Sequence, residues 1–274
     1  VGGYTSPMML FAAALAGVVR VILEPNANPG MANKAVGPFA QRVFLAFESA
    51  ADSFDRSKVR VVGTPIRKAF LDDLEQNREK SGPPHLLIFG GSQGAKTMNA
   101  AVMEGLPELM TQLPHLIVTH QTGESDYARV SEAYRHSGIT SQVMPFIYDM
   151  PSALRKADLV VARAGAMTVA ELTACGKPAI LIPLPSAIYD HQTKNAKVME
   201  TAGAAVVLPQ SDLTGSLLAR TVAGILGNPE RLRAMSEASL SLRRIDAAEV
   251  IVRECYVLMG GHHDVNRSVG AAGS

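Results

Sequence analysis

Tryptophan is absent from this 274-residue chain, and there are only 6 Tyr and 8 Phe. With so few rings, the core has to be assembled from Ala, Val, Leu, Ile and Met, which dominate a 47% hydrophobic composition. Cysteine is almost missing too. Cys175 and Cys255 stand far apart with no metal-ligand spacing, which suggests a reducing compartment and thiols that pack rather than react. Charge of one sign is not in excess: 26 Lys and Arg face 25 Asp and Glu, for a net +1. No basic field forms, so nucleic acid is not expected as a partner. No apolar run approaches the about 20 residues a spanning helix needs. Met8 to Leu15 is too short and lacks the preceding positive charge of a signal peptide. Any membrane contact is therefore expected to be peripheral.

What is present alternates. A helix fits residues 6–16, and short β-branched runs at Arg20 to Leu23, Val43 to Phe47 and Val59 to Val62 fit strands, with a helix after Pro29-Gly30 running to about Ala40. Residues 68–84 are charged and end on Ser81-Gly82-Pro83-Pro84, the composition of a linker. A second series then follows. Strands fit Leu86 to Phe89, Leu116 to Thr119, Gln142 to Pro145, Leu159 to Ala162, Ala179 to Pro183 and Ala205 to Leu208. Helices fit 95–111, 125–136, 149–156, 167–175 and 191–202, and three more fit 213–226, 229–242 and 246–259. Apolar strands alternating with helices define an α/β fold with parallel sheets, the second unit being doubly wound. The last 14 residues, Gly261 to Ser274, carry no apolar period and read as a disordered tail.

Four clusters carry chemistry. Leu86 to Ala95 places a strand, the turn Gly90-Gly91-Ser92-Gln93-Gly94 and a helix start in order. Glycines let backbone approach a ligand and helix N–H groups attract phosphate, while the same stretch also serves as a plain strand-to-helix turn. Ala162 to Leu172 repeats the pattern with small residues at 164–166. Thr168 and Glu171 have the spacing of a capping box, and Glu171 is equally suited to accept hydrogen bonds from a ribose diol. Asp190 to Ala196 opens a helix with a polar set, of which Gln192 and Asn195 offer donors and acceptors for sugar hydroxyls. The first unit contributes Gly2 to Ser6, Glu24-Pro25-Asn26 and Gly63 to Arg67, with Arg67 at the junction of the two units.

Taken in order, the segments Gly2 to Ser6, Glu24 to Ala27, Gly63 to Arg67, Gly90 to Ala95, His120 to Gly123, Arg163 to Glu171 and His191 to Ala196 resemble the MurG family of bacterial glycosyltransferases, over residues 1 to about 258. The resemblance implies a GT-B fold of two Rossmann-like domains, the first incomplete because the family's opening GGTGGH loop would lie upstream of Val1. The implied division is 1–67 for the acceptor domain, 68–84 for the linker, 85–243 for the UDP-sugar domain, 244–260 for a helix returning to the first domain, and 261–274 for the tail. Pro7-Met8-Met9-Leu10 stands where the family has Gly-Pro-Gly-Gly, which puts the acceptor-side loop near Tyr4 in question.

The implied activity is inverting transfer of N-acetylglucosamine from UDP-N-acetylglucosamine to lipid I, at the cytoplasmic face of the membrane. By matching motif positions, Ser92 and Arg67 fall to the diphosphate side and the Ile147 backbone to uracil. Arg163, Ala166, Met167, Thr168, Val169, Ala170 and Glu171 form the nucleoside pocket, with Glu171 on ribose. Gln192 and Asn195 read the sugar, and Asn26 reaches in from the first domain. Glu24 is the candidate general base. No Asp-x-Asp pair suggests a metal-held diphosphate, so neither metal nor cofactor is expected. Two other readings remain: a UDP-N-acetylglucosamine 2-epimerase-like isomerase, and a UDP-sugar binder without turnover.

Overall fold

The computed structural model describes residues 5–72, 82–91, 94–185 and 190–260, the side chains of Thr5 and Ser6 aside. Gly2 to Tyr4, Ser92, the middle of the expected linker and the expected tail lie outside the described residues.

Contacts divide the chain into two compact units: one runs to Pro65 and resumes at Ile245, and the other spans Ile66–Arg244. The first unit contains α1 (Thr5–Leu15), β1 (Val21–Glu24), α2 (Met31–Val36), β2 (Arg42–Leu45) and β3 (Val59–Val61). The three strands pair in parallel in the order β1-β2-β3. Ile22, Val43 and Leu45 are buried with Leu10, Val36 and Ala50 as the unit's core.

The second unit contains β4 (His85–Phe89), α3 (Lys96–Gln112), β5 (Ile117–Gln121), α4 (Tyr127–Ser137), β6 (Thr140–Met144), α5 (Met150–Lys156), β7 (Leu159–Ala162), α6 (Ala166–Ala174), β8 (Ala179–Leu181), α7 (His191–Thr201), β9 (Ala205–Val207), α8 (Gly215–Leu226) and α9 (Pro229–Ser241). The last described helix, α10 (Ala247–Leu258), belongs to the first unit, where Glu254 pairs with Arg42 at 2.9 Å.

Why these residues build a parallel sheet is visible in burial. Leu159 to Ala162 and Leu86 to Phe89 are buried along their length, as strands covered on both faces must be. Helix starts are fixed locally where side chains cap them. Asp149 accepts from the Ser152 N–H, Thr214 from Leu217 and Asn228 from Arg231. Gly138, in the left-handed region, ends α4.

The six strands lie in the order β6-β5-β4-β7-β8-β9, all parallel. The order reverses direction between β4 and β7. The turns leaving those two strands therefore diverge to opposite faces and leave a crevice at the carboxyl edge, where ligands of doubly wound sheets bind. The same two turns are the glycine-rich Gly90 segment and the Arg163 segment.

Candidate functional site

A cavity of about 400 Å³ opens at that crevice. Its lining comes from four segments: Gly90, Gly91, Gly94, Ala95, Lys96 and Thr97 after β4; Arg163, Gly165 and Thr168 after β7; Leu184 after β8 with Gln192 in the first turn of α7; and Gln210 after β9. The N-termini of α3 and α6 both open there, supplying the unpaired N–H groups and partial positive charge of helix starts. Lys96, exposed at the first position of α3, adds a full charge.

The glycine turn is held from beneath by β5. Gln121 is buried, and its Nε2 donates to the Gly91 carbonyl at 2.9 Å and to the Pro145 carbonyl at 3.1 Å. Gly94 sits at φ +73° against Thr122, where an added Cβ would fall 2.2 Å from the Thr122 carbonyl oxygen. That carbonyl also accepts from Asn99 Nδ2 at 2.9 Å. Asn99 Nδ2 donates in addition to Asp126, and its Oδ1 meets His120 Nε2 at 3.1 Å; His120 Nδ1 meets the Tyr134 hydroxyl at 3.2 Å. Burial drives the His120 pKa down to about 3, with Asp126 opposing, and pushes the Tyr134 hydroxyl up. Both side chains therefore work as neutral hydrogen-bonding groups inside the protein.

The β7 turn is tied to its neighbours by Arg163. One guanidinium nitrogen donates to the carbonyls of Ile182 (2.9 Å) and Pro183 (3.3 Å), and the other to Gln210 Oε1 (2.6 Å). Burial lowers the Arg163 pKa. Gln192, at the start of α7, accepts from the Leu184 N–H at 2.9 Å.

Among the residues singled out from sequence, Arg163, Thr168 and Gln192 line the cavity. Glu171 follows Thr168 by three residues on α6, the same helical face one turn on. Burial raises its carboxyl from 4.5 to about 6, with the Arg67 charge pulling the other way. Arg67 lies 5.1 Å over the Phe70 ring and packs within the second unit, although the sequence reading ends the first domain on it. Ala166 and Ala170 are half-buried on α6 and Met167 is exposed there. Ile147 is buried between two exposed aromatics, Phe146 and Tyr148, whose ring centroids stand 5.1 Å apart; Tyr148 is 88% exposed. None of Ile147, Arg67, Ala166, Met167 and Glu171 is among the described lining residues.

Five expectations need correction. Glu24 is 1% exposed, and both its oxygens are occupied. Oε1 accepts from the Asn26 N–H (3.0 Å) and Nδ2 (3.2 Å), and Oε2 accepts from the Gly30 N–H (3.0 Å) and Asn33 Nδ2 (2.7 Å). Four donors fill the acceptor capacity of a carboxylate, so Glu24 organises the loop after β1 and has nothing left with which to take a substrate proton. The same bonds commit Asn26 Nδ2 to Glu24. Asn195 is 0% exposed, and its Nδ2 donates to the Ala164 carbonyl at 3.2 Å; it shapes the β7 turn from behind rather than facing the cavity. Val169 points into the core, which leaves only its backbone near the site. The capping box dissolves as well. Gly165 is the N-cap of α6 without a side-chain cap, and Thr168 and Glu171 lie inside the helix.

Sequence reasoning placed Gln121 in the His120 to Gly123 segment without giving it a role, and overlooked Gln210 and Lys96. Lys96 had a local signal, a basic residue close after a glycine turn. Among the described residues, no group of three or more His, Cys, Asp and Glu is placed to hold a metal ion.

A doubly wound sheet with paired helix N-termini, a cation and two amide side chains around its switch point is built to take a phosphate-bearing ligand. The glycosyltransferase family 28 C-terminal domain matches residues 85–251. The UDP-N-acetylglucosamine--N-acetylmuramyl-(pentapeptide) pyrophosphoryl-undecaprenol N-acetylglucosamine transferase of Syntrophus aciditrophicus is 45% identical over 259 residues, 94% of this chain and 72% of its own. The transferase of the same name from Geobacter sulfurreducens is 42% identical, over 93% of this chain and 71% of its own. The crystal structure of Acinetobacter baumannii MurG superposes with a TM-score of 0.79 at 33% identity, covering 93% of this chain and 73% of that one. The chain belongs to the MurG family of glycosyltransferases. A UDP-N-acetylglucosamine 2-epimerase from Neisseria meningitidis, solved with UDP-N-acetylglucosamine bound, shares the fold at 14% identity and a TM-score of 0.65 over 93% of this chain and 73% of its own.

Proposed function

We propose that this chain transfers N-acetylglucosamine from UDP-N-acetylglucosamine to undecaprenyl-diphospho-N-acetylmuramyl-pentapeptide, lipid I, giving the disaccharide lipid used in peptidoglycan synthesis. The observation that carries the reading is the cavity at the β4–β7 switch point. It combines a glycine turn, two helix N-termini and Lys96 suited to a diphosphate with Arg163, Thr168 and Gln192.

In this reading the diphosphate sits against the glycine turn after β4, and Ser92 and Arg67 are assigned to it from their motif positions. The nucleoside lies along α6 from Ala166 to Glu171, with Glu171 accepting from the ribose hydroxyls and the Ile147 backbone meeting the base. Gln192 reads the sugar. The C4 hydroxyl of the muramyl sugar attacks the anomeric carbon opposite the diphosphate. The glycosidic bond forms as the carbon–oxygen bond to UDP breaks, so configuration inverts. UDP leaves with the electron pair, and the hydroxyl proton passes to a base. Charge that grows on the leaving diphosphate meets fixed N–H dipoles and Lys96, which need little reorganisation.

The same reading gives the unit around β4 to β9 the donor and the unit around β1 to β3 the acceptor, and places the protein at the cytoplasmic face of the membrane. No described helix is long and apolar enough to cross a membrane.

Labelled UDP-N-acetylglucosamine incubated with a lipid I analogue tests the proposal. Formation of the disaccharide lipid supports transfer. Release of the 2-epimer of the sugar would replace it with isomerisation, and donor binding without turnover would replace it with a binding role.

A further inference from the structure

Gln192 and Gln210 enter the cavity from different segments with the same arrangement. Each has its Oε1 pinned by a fixed donor: Gln192 by the Leu184 N–H at 2.9 Å, Gln210 by Arg163 at 2.6 Å. Arg163 is itself anchored on the Ile182 and Pro183 carbonyls, so the group that holds Gln210 is not free to swing. An amide whose oxygen is fixed has its nitrogen fixed too. Neither Nε2 group donates to any described protein atom, while both side chains line the cavity. The site therefore contains two oriented, neutral NH2 donors. One is Gln192; the other has no role in the reading above.

We propose that Gln210 is a specificity-determining residue that donates from Nε2 to an oxygen of the donor's pyranose ring substituents, with Arg163 positioning it. The assignment rests on the donor-site reading above and extends it by one residue. The partner's chemistry follows from the donor's. A neutral NH2 adds no charge toward a diphosphate, which Lys96 and the helix termini already serve. It matches hydroxyl or acetamido oxygens, which need direction rather than charge. Arg163, in turn, puts three of its five N–H donors on the Ile182 and Pro183 carbonyls and Gln210, which is what holds the Gln210 amide in place.

Gln210→Glu separates the two functions of the side chain. It keeps an oxygen for Arg163 and removes the NH2 donor at almost unchanged shape. Gln210→Leu removes both. Affinities for UDP and for UDP-N-acetylglucosamine are measured on the 274-residue chain and its variants, with thermal midpoints as a check on folding. The added carboxylate weakens both ligands through charge, so the ratio of the two affinities isolates the sugar. The expected result is a shift of that ratio against the sugar nucleotide by roughly fivefold in both variants, the value of about one net hydrogen bond. An unchanged ratio in Gln210→Glu with intact UDP binding overturns the assignment and leaves Gln210 as an anchor for Arg163. Failure of the unsubstituted protein to bind UDP overturns the donor-site reading itself, and this assignment with it.

Discussion

Gln121 and Gly91 are joined by a buried amide-to-carbonyl hydrogen bond of 2.9 Å, and the second hydrogen of the same NH2 group goes to Pro145 at 3.1 Å. One side chain at the end of β5 thus fixes the glycine turn after β4 and the loop after β6. Gln121→Met keeps the bulk and removes one donor from each carbonyl, leaving Gly91 with the Gly94 N–H at 2.9 Å and Pro145 with the Gly123 N–H at 3.1 Å. It should cost about 1–3 kcal/mol in urea denaturation and weaken UDP binding in a titration, because both loops lose their common anchor. Unchanged UDP affinity would mean that the loops hold their positions without it.

Glu24 behaves as a hub of four donors, two backbone and two side-chain. In Glu24→Gln an NH2 group would face two of them. A destabilisation of about 1–3 kcal/mol is expected, read as a lower denaturant midpoint at unchanged slope. A midpoint equal to that of the unsubstituted protein would restore Glu24 as a candidate for chemistry.

Gly94→Ala places a methyl 2.2 Å from the Thr122 carbonyl at a backbone angle of φ +73°. The left-handed conformation alone costs about 1–2 kcal/mol for a residue with a Cβ, and the contact must also displace the turn after β5. Loss of both stability and UDP affinity is expected. Tm and an isothermal titration report the two separately.

Glu171 sets a pH dependence with a definite sign. Its folded pKa of about 6 exceeds the ordinary 4.5 because burial disfavours the charged form. Between those values the folded state holds the proton more tightly than the unfolded chain, so stability declines as pH rises from 4.5 through 6. Glu171→Gln removes that decline. Its Tm should match the parent's below pH 4.5 and exceed it above pH 6. A Tm advantage that is the same at every pH would place the effect elsewhere than in the charge.

His120 contributes in the opposite sense. Its pKa of about 3 in the folded protein lies below the ordinary 6.5, so unfolding takes up a proton below pH 6.5 and stability falls as pH drops from there toward 3. His120→Gln should flatten the fall in denaturant midpoint between pH 7 and pH 5. An equally steep fall in the variant would assign it to the carboxylates instead.

The fold could be read from the sequence wherever structure depends on local pattern. The runs ending at Phe89 and Ala162 are strands because buried parallel strands are continuously apolar, and the helix starting at His191 begins where its polar set does. β5 is the instructive exception. The expected strand stops at Thr119, but pairing continues through His120 and Gln121. These two look like a strand end because they are polar. They are buried because their partners, Asn99, Tyr134, Gly91 and Pro145, arrive from up to 30 residues away. Glu24 is the mirror case: a carboxylate at a strand end has the same sequence signature whether a substrate or a turn of backbone occupies its oxygens. The Thr168–Glu171 spacing fits a capping box at any register, and only the extended backbone at Gly165 shows that α6 begins elsewhere.

Because all six strands of the larger sheet point the same way, its two rims differ in kind. The rim opposite the cavity holds the entrances to the strands, among them exposed His115 just ahead of β5. A five-residue strand is about 16 Å long, so a dye or surface tether attached there would ride on the scaffold that frames the cavity while standing clear of it. Immobilised assays and fluorescent reporters of ligand capture can be built from that rim without editing a single side chain of the pocket.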